Sequence, residues 1–234
     1  MRVDLGQTAD GGKAAEPLWR NGVPVSPRFD DPYYSLSGGL AEARYVFLDG
    51  NGLPGRFRPG FRIAELGFGT GLNMLAAWDA WRGSNCPGPL RFTSFEAWPM
   101  SAGAMTRALA AFPEISELAS VLIDAWERGR TSVSTAEIDA VVVLGDAREI
   151  LPAWDGIADA WFLDGFAPSR NPEMWEPALL REVARRTAPG GGFATYAAAG
   201  KVRRALAEAG FSVERRPGFG RKRHMSAGTL ERGS

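Results

Sequence analysis

The stretch Glu65-Leu66-Gly67-Phe68-Gly69-Thr70-Gly71 follows a short apolar run at 61–64 and opens a helical one at 72–81. It reads as strand, tight glycine turn, helix. The glycine spacing is G-x-G-x-G, with an acid two residues before the first glycine. Dinucleotide sites use G-x-G-x-x-G, whose third glycine lets helix and strand pack closely beside an anionic pyrophosphate. Here the third glycine comes one residue early, and Glu65 would repel a diphosphate while attracting a cation. The pattern suits a nucleoside bearing a sulfonium-linked amino acid, S-adenosyl-L-methionine (SAM).

The next acids fall in register with that reading. Residues 91–95 (RFTSF) alternate as a strand and end in Glu96. A carboxylate at the end of a second strand is where doubly wound folds hold a ribose diol, because open α/β sheets bind ligands beyond those ends. Residues 138–144 (IDAVVVL) form a buried-strand run before Gly145-Asp146-Ala147, which places Asp146 to accept from an adenine amino group. Residues 160–163 run straight into Asp164-Gly165-Phe166. One acid after an apolar run is ordinarily a helix cap or a solvated turn. Four in series, Glu65, Glu96, Asp146 and Asp164, point to a site.

At 234 residues the chain is long enough for one large α/β domain with a full core. Lys and Arg total 27, as do Asp and Glu, and a net charge of zero argues against a protein that coats itself in nucleic acid. The balance is uneven, however. Residues 61–200 hold 11 basic and 17 acidic side chains, whereas residues 201–234 hold 9 basic and 3 acidic. A basic tail beside an acidic body either positions a phosphate backbone or is simply a solvated surface. Cys86 and His224 are the sole residues of their kinds. An internal disulfide and a cysteine-rich zinc site are excluded, and histidine metal centres and Ser-His-Asp chemistry are disfavoured, so no metal is expected. The N-terminus lacks an apolar core of signal-peptide length, and no run approaches the roughly 18 apolar residues of a membrane span. A cytoplasmic protein with no membrane partner is expected.

Residues 1–18 are polar and glycine-containing, a flexible end, and 19–234 read as a single domain. Within it, 19–58 carry turn signals (Asn21-Gly22, Pro24, Pro27, Asp31-Pro32, Gly38-Gly39) between aromatic segments, with a short strand at 45–48. This is an N-terminal extension laid over the domain, and the sheet begins at Phe61. Between Glu96 and Ile138 lies more chain than one crossover helix needs. Residues 101–112 read as one helix and 115–126 as a second, with Ile115, Leu118, Leu122 and Trp126 roughly on one face. Residues 97–137 are therefore a helical insertion, more simply a packing element than a functional one.

Residues 164–175 (DGFAPSRNPEMW) place Pro168 and Pro172 close together, which forces an extended loop, since proline lacks the amide donor and restricts its predecessor. An acid, backbone carbonyls and an aromatic in such a loop grip an amine, following the logic of the acid–proline–aromatic loops of amino-group methyltransferases. A purely structural turn would need neither Asp164 nor the flanking Phe166 and Trp175.

Taken together, these segments carry a resemblance. ELGFGTGLN (65–73), DAWFLDGFAPSRNPEMW (159–175), TYAAAGKVRRALAEAGF (195–211) and GFGRKRHM (218–225) resemble the methyltransferase part of bacterial tRNA 5-methylaminomethyl-2-thiouridine biosynthesis enzymes, the MnmC type. WRNGVPVSPRFDDPYYS (19–35) and GLAEARYVFLDGN (39–51) extend the likeness over residues 19–228. It implies a class I SAM-dependent α/β fold, a doubly wound, mostly parallel sheet. The implied reaction methylates the exocyclic amine of 5-aminomethyl(-2-thio)uridine at the wobble position, with the tRNA anticodon stem-loop as partner. The likeness also implies a SAM pocket of Glu65, Gly67, Gly69, Asn73, Glu96 at the ribose, Asp146 and Ala147 at the adenine, and Tyr34 as cover. Asp164 would be the catalytic group at the acceptor amine. Phe166, Asn171, Trp175, Lys222 and Arg223 would face the substrate, Phe166 or Trp175 stacking on an extruded uracil. Lys201, Arg203, Arg204, Arg221, Lys222 and Arg223 would meet stem phosphates.

Two departures stand out. The family's usual lysine after the ribose acid is replaced by Ala97-Trp98, which alters the edge of the ribose pocket. The chain also stops at Ser234 without the flavin-dependent oxidase domain fused in many relatives, so the aminomethyl precursor is expected to arise by another route or from a separate enzyme. A monomer is expected. Two other classes stay open: a SAM-dependent N-methyltransferase of a small-molecule or protein amine, and a non-catalytic SAM- or nucleoside-binding module. Asp164 and the Asn171-Pro172 loop speak against the module, and the GFGRKRHM tail speaks against the other.

Overall fold

The computed structural model describes residues 16–35 and 38–231. The flexible end expected at 1–18 lies outside the described residues as far as residue 15. Three short strands come first, β1 (Leu18–Arg20), β2 (Val23–Ser26) and β3 (Asp31–Pro32), paired antiparallel in that order. Asn21 and Gly22, both at positive φ, make the two-residue hairpin turn between β1 and β2. Helix α1 (Gly39–Ala43) then runs directly into a π-helical turn at Arg44–Leu48. The 45–48 segment, expected as a strand, is thus helical. In a strand Val46 and Leu48 would face away from Phe47. The wide turn instead buries all three, with Phe47 meeting Phe162 at 5.4 Å between ring centres.

The main sheet is built from β4 (Arg62–Leu66), β5 (Leu90–Glu96), β6 (Ser132–Ser134), β7 (Ile138–Leu144), β8 (Ala158–Leu163), β9 (Thr187–Thr195), β10 (Phe211–Pro217) and β11 (His224–Leu230). Between the strands run α2 (Leu72–Ser84), α3 (Ala102–Leu109), α4 (Ser116–Glu127), α5 (Ala147–Ile150), α6 (Pro177–Arg185) and α7 (Gly200–Glu208). Strand order is β10-β11-β9-β8-β4-β5-β7-β6. The central β9-β8-β4-β5-β7 ladder is parallel, while β6 pairs antiparallel with β7 and β11 antiparallel with both β9 and β10. Strand β8 is buried along its whole length, as befits a parallel strand in mid-sheet with both faces covered. From β4 the chain steps outward through β5 to β7, then crosses back to β8 on the other side of β4. The ends of β4, β5 and β8 therefore border the crevice at which such sheets bind ligands.

The two helices of the 97–137 insertion are α3 and α4. Ser101 starts α3 by accepting from the Ala104 amide at 3.2 Å, and Pro113 opens the single 3-10 turn that separates the pair. Helix α4 buries Leu118, Ala119, Leu122 and Ala125, one stripe at helical spacing. Just beyond that stripe, Trp126 stacks on Phe68 at 5.2 Å between ring centres. A side chain at Gly71 would run into Leu122. The insertion thus braces the glycine turn. Among the described residues no helix is long and apolar enough to cross a membrane.

Candidate active site

The glycine turn is shaped by close backbone approach. Gly67 and Gly69 have φ of 87° and 55°, a region L side chains rarely adopt. A Cβ at Gly67 would collide with the carbonyl oxygen of Asp164, and one at Gly69 would lie 3.1 Å from the Tyr33 ring. The Gly67 amide donates to the Phe95 carbonyl at 2.9 Å, tying the turn to the end of β5.

Glu65 is fully buried beneath this turn and is not part of the cavity wall. Its carboxylate accepts from Ser94 Oγ at 2.6 Å and from Asn73 Nδ2 at 3.0 Å. Burial pushes its carboxyl well above the usual carboxylate range, against those two hydrogen bonds. Glu65, expected in the SAM pocket, therefore lies behind the cavity wall. Strand alternation turns Glu65 inward, where it holds Asn73. Asn73 in turn donates to Asp164 Oδ2 at 2.7 Å, so one amide joins the two acids.

Above the turn lies a cavity of about 1080 Å³. Gly67, Gly69, Asn73, Glu96, Asp146 and Ala147 all line it. Both Glu96 oxygens are held by backbone: Oε2 accepts from the Gly69 amide at 2.9 Å and Oε1 from the Trp98 amide at 2.8 Å. Each oxygen keeps a second lone pair for a ligand hydroxyl. Asp146 caps α5 by accepting from the Arg148 amide at 2.9 Å and pairs with the Arg148 guanidinium at 2.6 Å. That hydrogen-bonded pairing holds its carboxyl below the usual range, so any adenine contact shares Asp146 with Arg148.

The opposite wall carries Asp164. Burial pushes its carboxyl up to about 7, opposed by the Asn73 hydrogen bond and the Lys222 charge and reinforced by Glu42 and Asp31. Phe166 packs against Phe29 at 4.7 Å and edge-on to Tyr33 at 5.2 Å between ring centres. Asn171 is buried yet reaches the cavity wall. Trp175 does not reach it. Its buried indole donates to the Phe166 carbonyl at 2.9 Å and supports the loop from below, so of the two aromatics only Phe166 faces the cavity. Tyr34 lines the cavity, donates to the Ala108 carbonyl at 3.0 Å and meets Phe112 edge-on.

Several lining residues escaped the sequence reading. Asp31 Oδ2 accepts from the Ala167 amide at 2.8 Å, latching β3 onto the 164–175 loop. Tyr33 is held by burial and the Glu96 charge up to about 12. The Tyr196 hydroxyl donates to the Gly165 carbonyl at 2.5 Å, and burial raises it well above the usual phenol range. At the mouth the Arg28 guanidinium lies 4.4 Å over the Trp98 ring, with Phe29 edge-on to the same ring. The segment RFDDPYYS advertised aromatics and acids, but only the folded hairpin shows which of them turn inward.

The basic segment divides. Lys222 turns into the cavity, its Nζ 2.7 Å from Glu42 Oε1 and 4.3 Å from the centre of the Tyr196 ring. Arg223 stays outside, exposed. Arg203, Arg215 and Arg223 lie close enough to His224 for their charge to lower its imidazole further than desolvation alone.

A SAM-sized ligand suits this cavity on structural grounds. Gly67 and Gly69 admit close approach because neither carries a Cβ, and the carboxylates of Glu96 and Asp146 stand on the cavity wall at and beyond strand ends. The far wall gathers three carboxyl groups, those of Asp31, Glu42 and Asp164.

The family model for S-adenosyl-L-methionine-dependent methyltransferases matches residues 113–231. The tRNA 5-methylaminomethyl-2-thiouridine biosynthesis bifunctional protein MnmC of Caulobacter vibrioides is 50% identical over 220 residues, 90% of this chain and 37% of that protein. The protein of the same name from Chromobacterium violaceum is 44% identical over 92% of this chain and 34% of its own length. The chain thus spans little more than a third of the curated relatives it matches. Among solved structures, MNMC2 from Aquifex aeolicus superposes with a TM-score of 0.75 at 24% identity, covering 90% of this chain and 67% of that one. The glycopeptide N-methyltransferase MtfA complexed with sinefungin gives 0.51 at 17% identity, covering 83% and 87%. With the observed strand order, these likenesses establish the class I methyltransferase fold.

Proposed function

Since the chain belongs to the S-adenosyl-L-methionine-dependent methyltransferase family, we propose that it methylates the exocyclic amine of 5-aminomethyl(-2-thio)uridine at the wobble position of tRNA. The observation that carries this reading is Asp164, a carboxyl pushed up to about 7 and facing the cavity beside the glycine turn. The relatives whose names specify that modified nucleoside supply the substrate class.

Bound SAM supplies an electrophilic methyl group on a positively charged sulfur. The protein's share is binding, orientation and one proton. Gly67 and Gly69 let the ligand meet bare backbone, Glu96 accepts from the ribose, Asp146 and Ala147 border the adenine, and Tyr34 covers the pocket. Asn73, fixed by Glu65, keeps Asp164 in one orientation. An amine attacks only through its free lone pair, and Asp164 takes the proton that nitrogen sheds. A base whose pKa lies near the working pH performs such a transfer best. The remaining acceleration comes from holding amine and methyl donor in line. Phe166 offers its ring to an extruded uracil, with Asn171 beside it. Lys201, Arg203, Arg204, Arg221 and Arg223 would meet phosphates of the anticodon stem.

The test is reconstitution on tRNA purified from a strain deleted for this gene. With SAM, the purified protein should convert aminomethyl to methylaminomethyl at the wobble uridine, read by nucleoside mass spectrometry. Methyl incorporation absent from that nucleoside, or found at another, would overturn the assignment.

A further inference from the structure

Lys222 places a primary ammonium against a carboxylate and an aromatic face inside the cavity. Resting on the acceptor reading above, we propose that Glu42 and the face of Tyr196 form the subsite for the substrate's primary ammonium, and that Lys222 fills it until the substrate arrives.

The asymmetry of the pair argues for exchange. The Glu42 side chain is 10% exposed, whereas that of Lys222 is 46% exposed. The ammonium lies 2.7 Å from Glu42 Oε1 but out of line for a well-directed hydrogen bond. A buried carboxylate oxygen is thus compensated in charge more than in directed bonding. A half-exposed lysine on a flexible four-carbon stem returns to water at little cost. Glu42 has no such freedom, because a buried charge stripped of its partner is strongly destabilising. Whatever displaces Lys222 and leaves Glu42 ionised must therefore be a cation. A carboxylate together with an aromatic face is the combination that recognises cationic amines. Tyr196 is itself fixed by the Gly165 carbonyl, which follows Asp164 directly in the chain. A substrate ammonium entering this subsite arrives beside the group that takes its proton. Lys222 is then a placeholder in the pocket and not a partner for phosphate.

Calorimetry separates this from the reaction itself. 5-Aminomethyluridine and uridine are titrated into protein saturated with S-adenosylhomocysteine, with affinity for that ligand and the melting temperature as controls of folding. The wild type should bind the aminomethyl nucleoside more tightly than uridine. Lys222→Met should tighten the aminomethyl nucleoside by about tenfold, since the fraction of open sites rises when an internal competitor is removed. Glu42→Gln should abolish the preference for the amine, and Glu42→Asp, which keeps the charge, should retain part of it. Uridine affinity should not change in any variant. An aminomethyl affinity in Lys222→Met equal to or weaker than wild type overturns the proposal, even if Glu42→Gln fails to fold. If the binding pattern holds but no methyl reaches aminomethyl tRNA, the reaction reading fails and the subsite stands. If methyl transfer proceeds while both variants bind as wild type does, the subsite fails and the reaction stands.

Discussion

Asp164 gathers the electrostatics of the site into one side chain. Its carboxyl, pushed up to about 7 by burial, loses its capacity to accept a proton as pH falls through that value. Turnover should therefore rise with pH to a plateau above about 7, and Asp164→Ala should lower it about 10²-fold or more while leaving SAM affinity within a few-fold. A flat pH profile would show that the amine sheds its proton elsewhere. Stability runs the opposite way. The folded chain binds this proton more tightly than the unfolded chain, so its contribution is lost as pH rises from about 4 to about 7. Asp164→Asn should accordingly melt higher than wild type at about pH 8 and lose the advantage near pH 4. Glu96, Asp146 and Asp164 were legible in the sequence because strand ends in an open α/β sheet all open on one crevice. Glu65 was legible as an acid near the turn but not in its direction, since one step of strand alternation separates cavity from core. Trp175 was misjudged for a similar reason: its spacing from Phe166 places both in the loop without saying which lies beneath.

At the scale of elements, the hairpin of β1–β3 works on the 164–175 loop. Asp31 bonds the Ala167 amide, Phe29 packs on Phe166, and Asp30 lies 3.5 Å from Arg170. Asp31→Ala leaves that amide without its charged acceptor, a change worth about 1.5–3 kcal/mol where the group stays shielded from water. Hydrogen exchange at residues 165–171 should quicken in this variant, and SAM should bind about tenfold more weakly through a less settled wall. Exchange unchanged from wild type would mean that the aromatic packing alone holds the loop. Turn signals announced the hairpin, yet nothing local said that it folds over a loop more than a hundred residues away. The 45–48 segment misled because three consecutive apolar residues fit a strand as readily as a helix. Only the sheet beneath decides in favour of the turn that buries all three.

Across the whole molecule, charge is segregated. The segment beyond residue 200 is basic, the body acidic, and two of the basic residues, Arg221 and Lys222, line the cavity. Arg203 and Arg223 do not line the cavity, and in the function proposed above they meet the phosphates. Changing both to alanine should lower the salt slope of log K for tRNA by roughly 0.7–0.9 for each phosphate that is no longer neutralised, without altering SAM affinity. An unchanged slope would move the footprint elsewhere. The insertion of α3 and α4 was readable as two helices from its periodicity. Its placement against the glycine turn was not, because Trp126 and Phe68 are brought together by topology and not by spacing.

The indole at the cavity mouth gives the protein a built-in optical reporter. Of the eight tryptophans, Trp98 alone is exposed, while Arg28 lies over its face. Its emission should be the fraction most sensitive to acrylamide. A ligand seated against Glu96, two residues back along the chain, would shade it from the quencher. Quenching of intrinsic fluorescence should therefore diminish on addition of S-adenosylhomocysteine, and Trp98→Phe should erase that difference while leaving calorimetric binding in place. Occupancy could then be followed in real time, during tRNA docking, without a label.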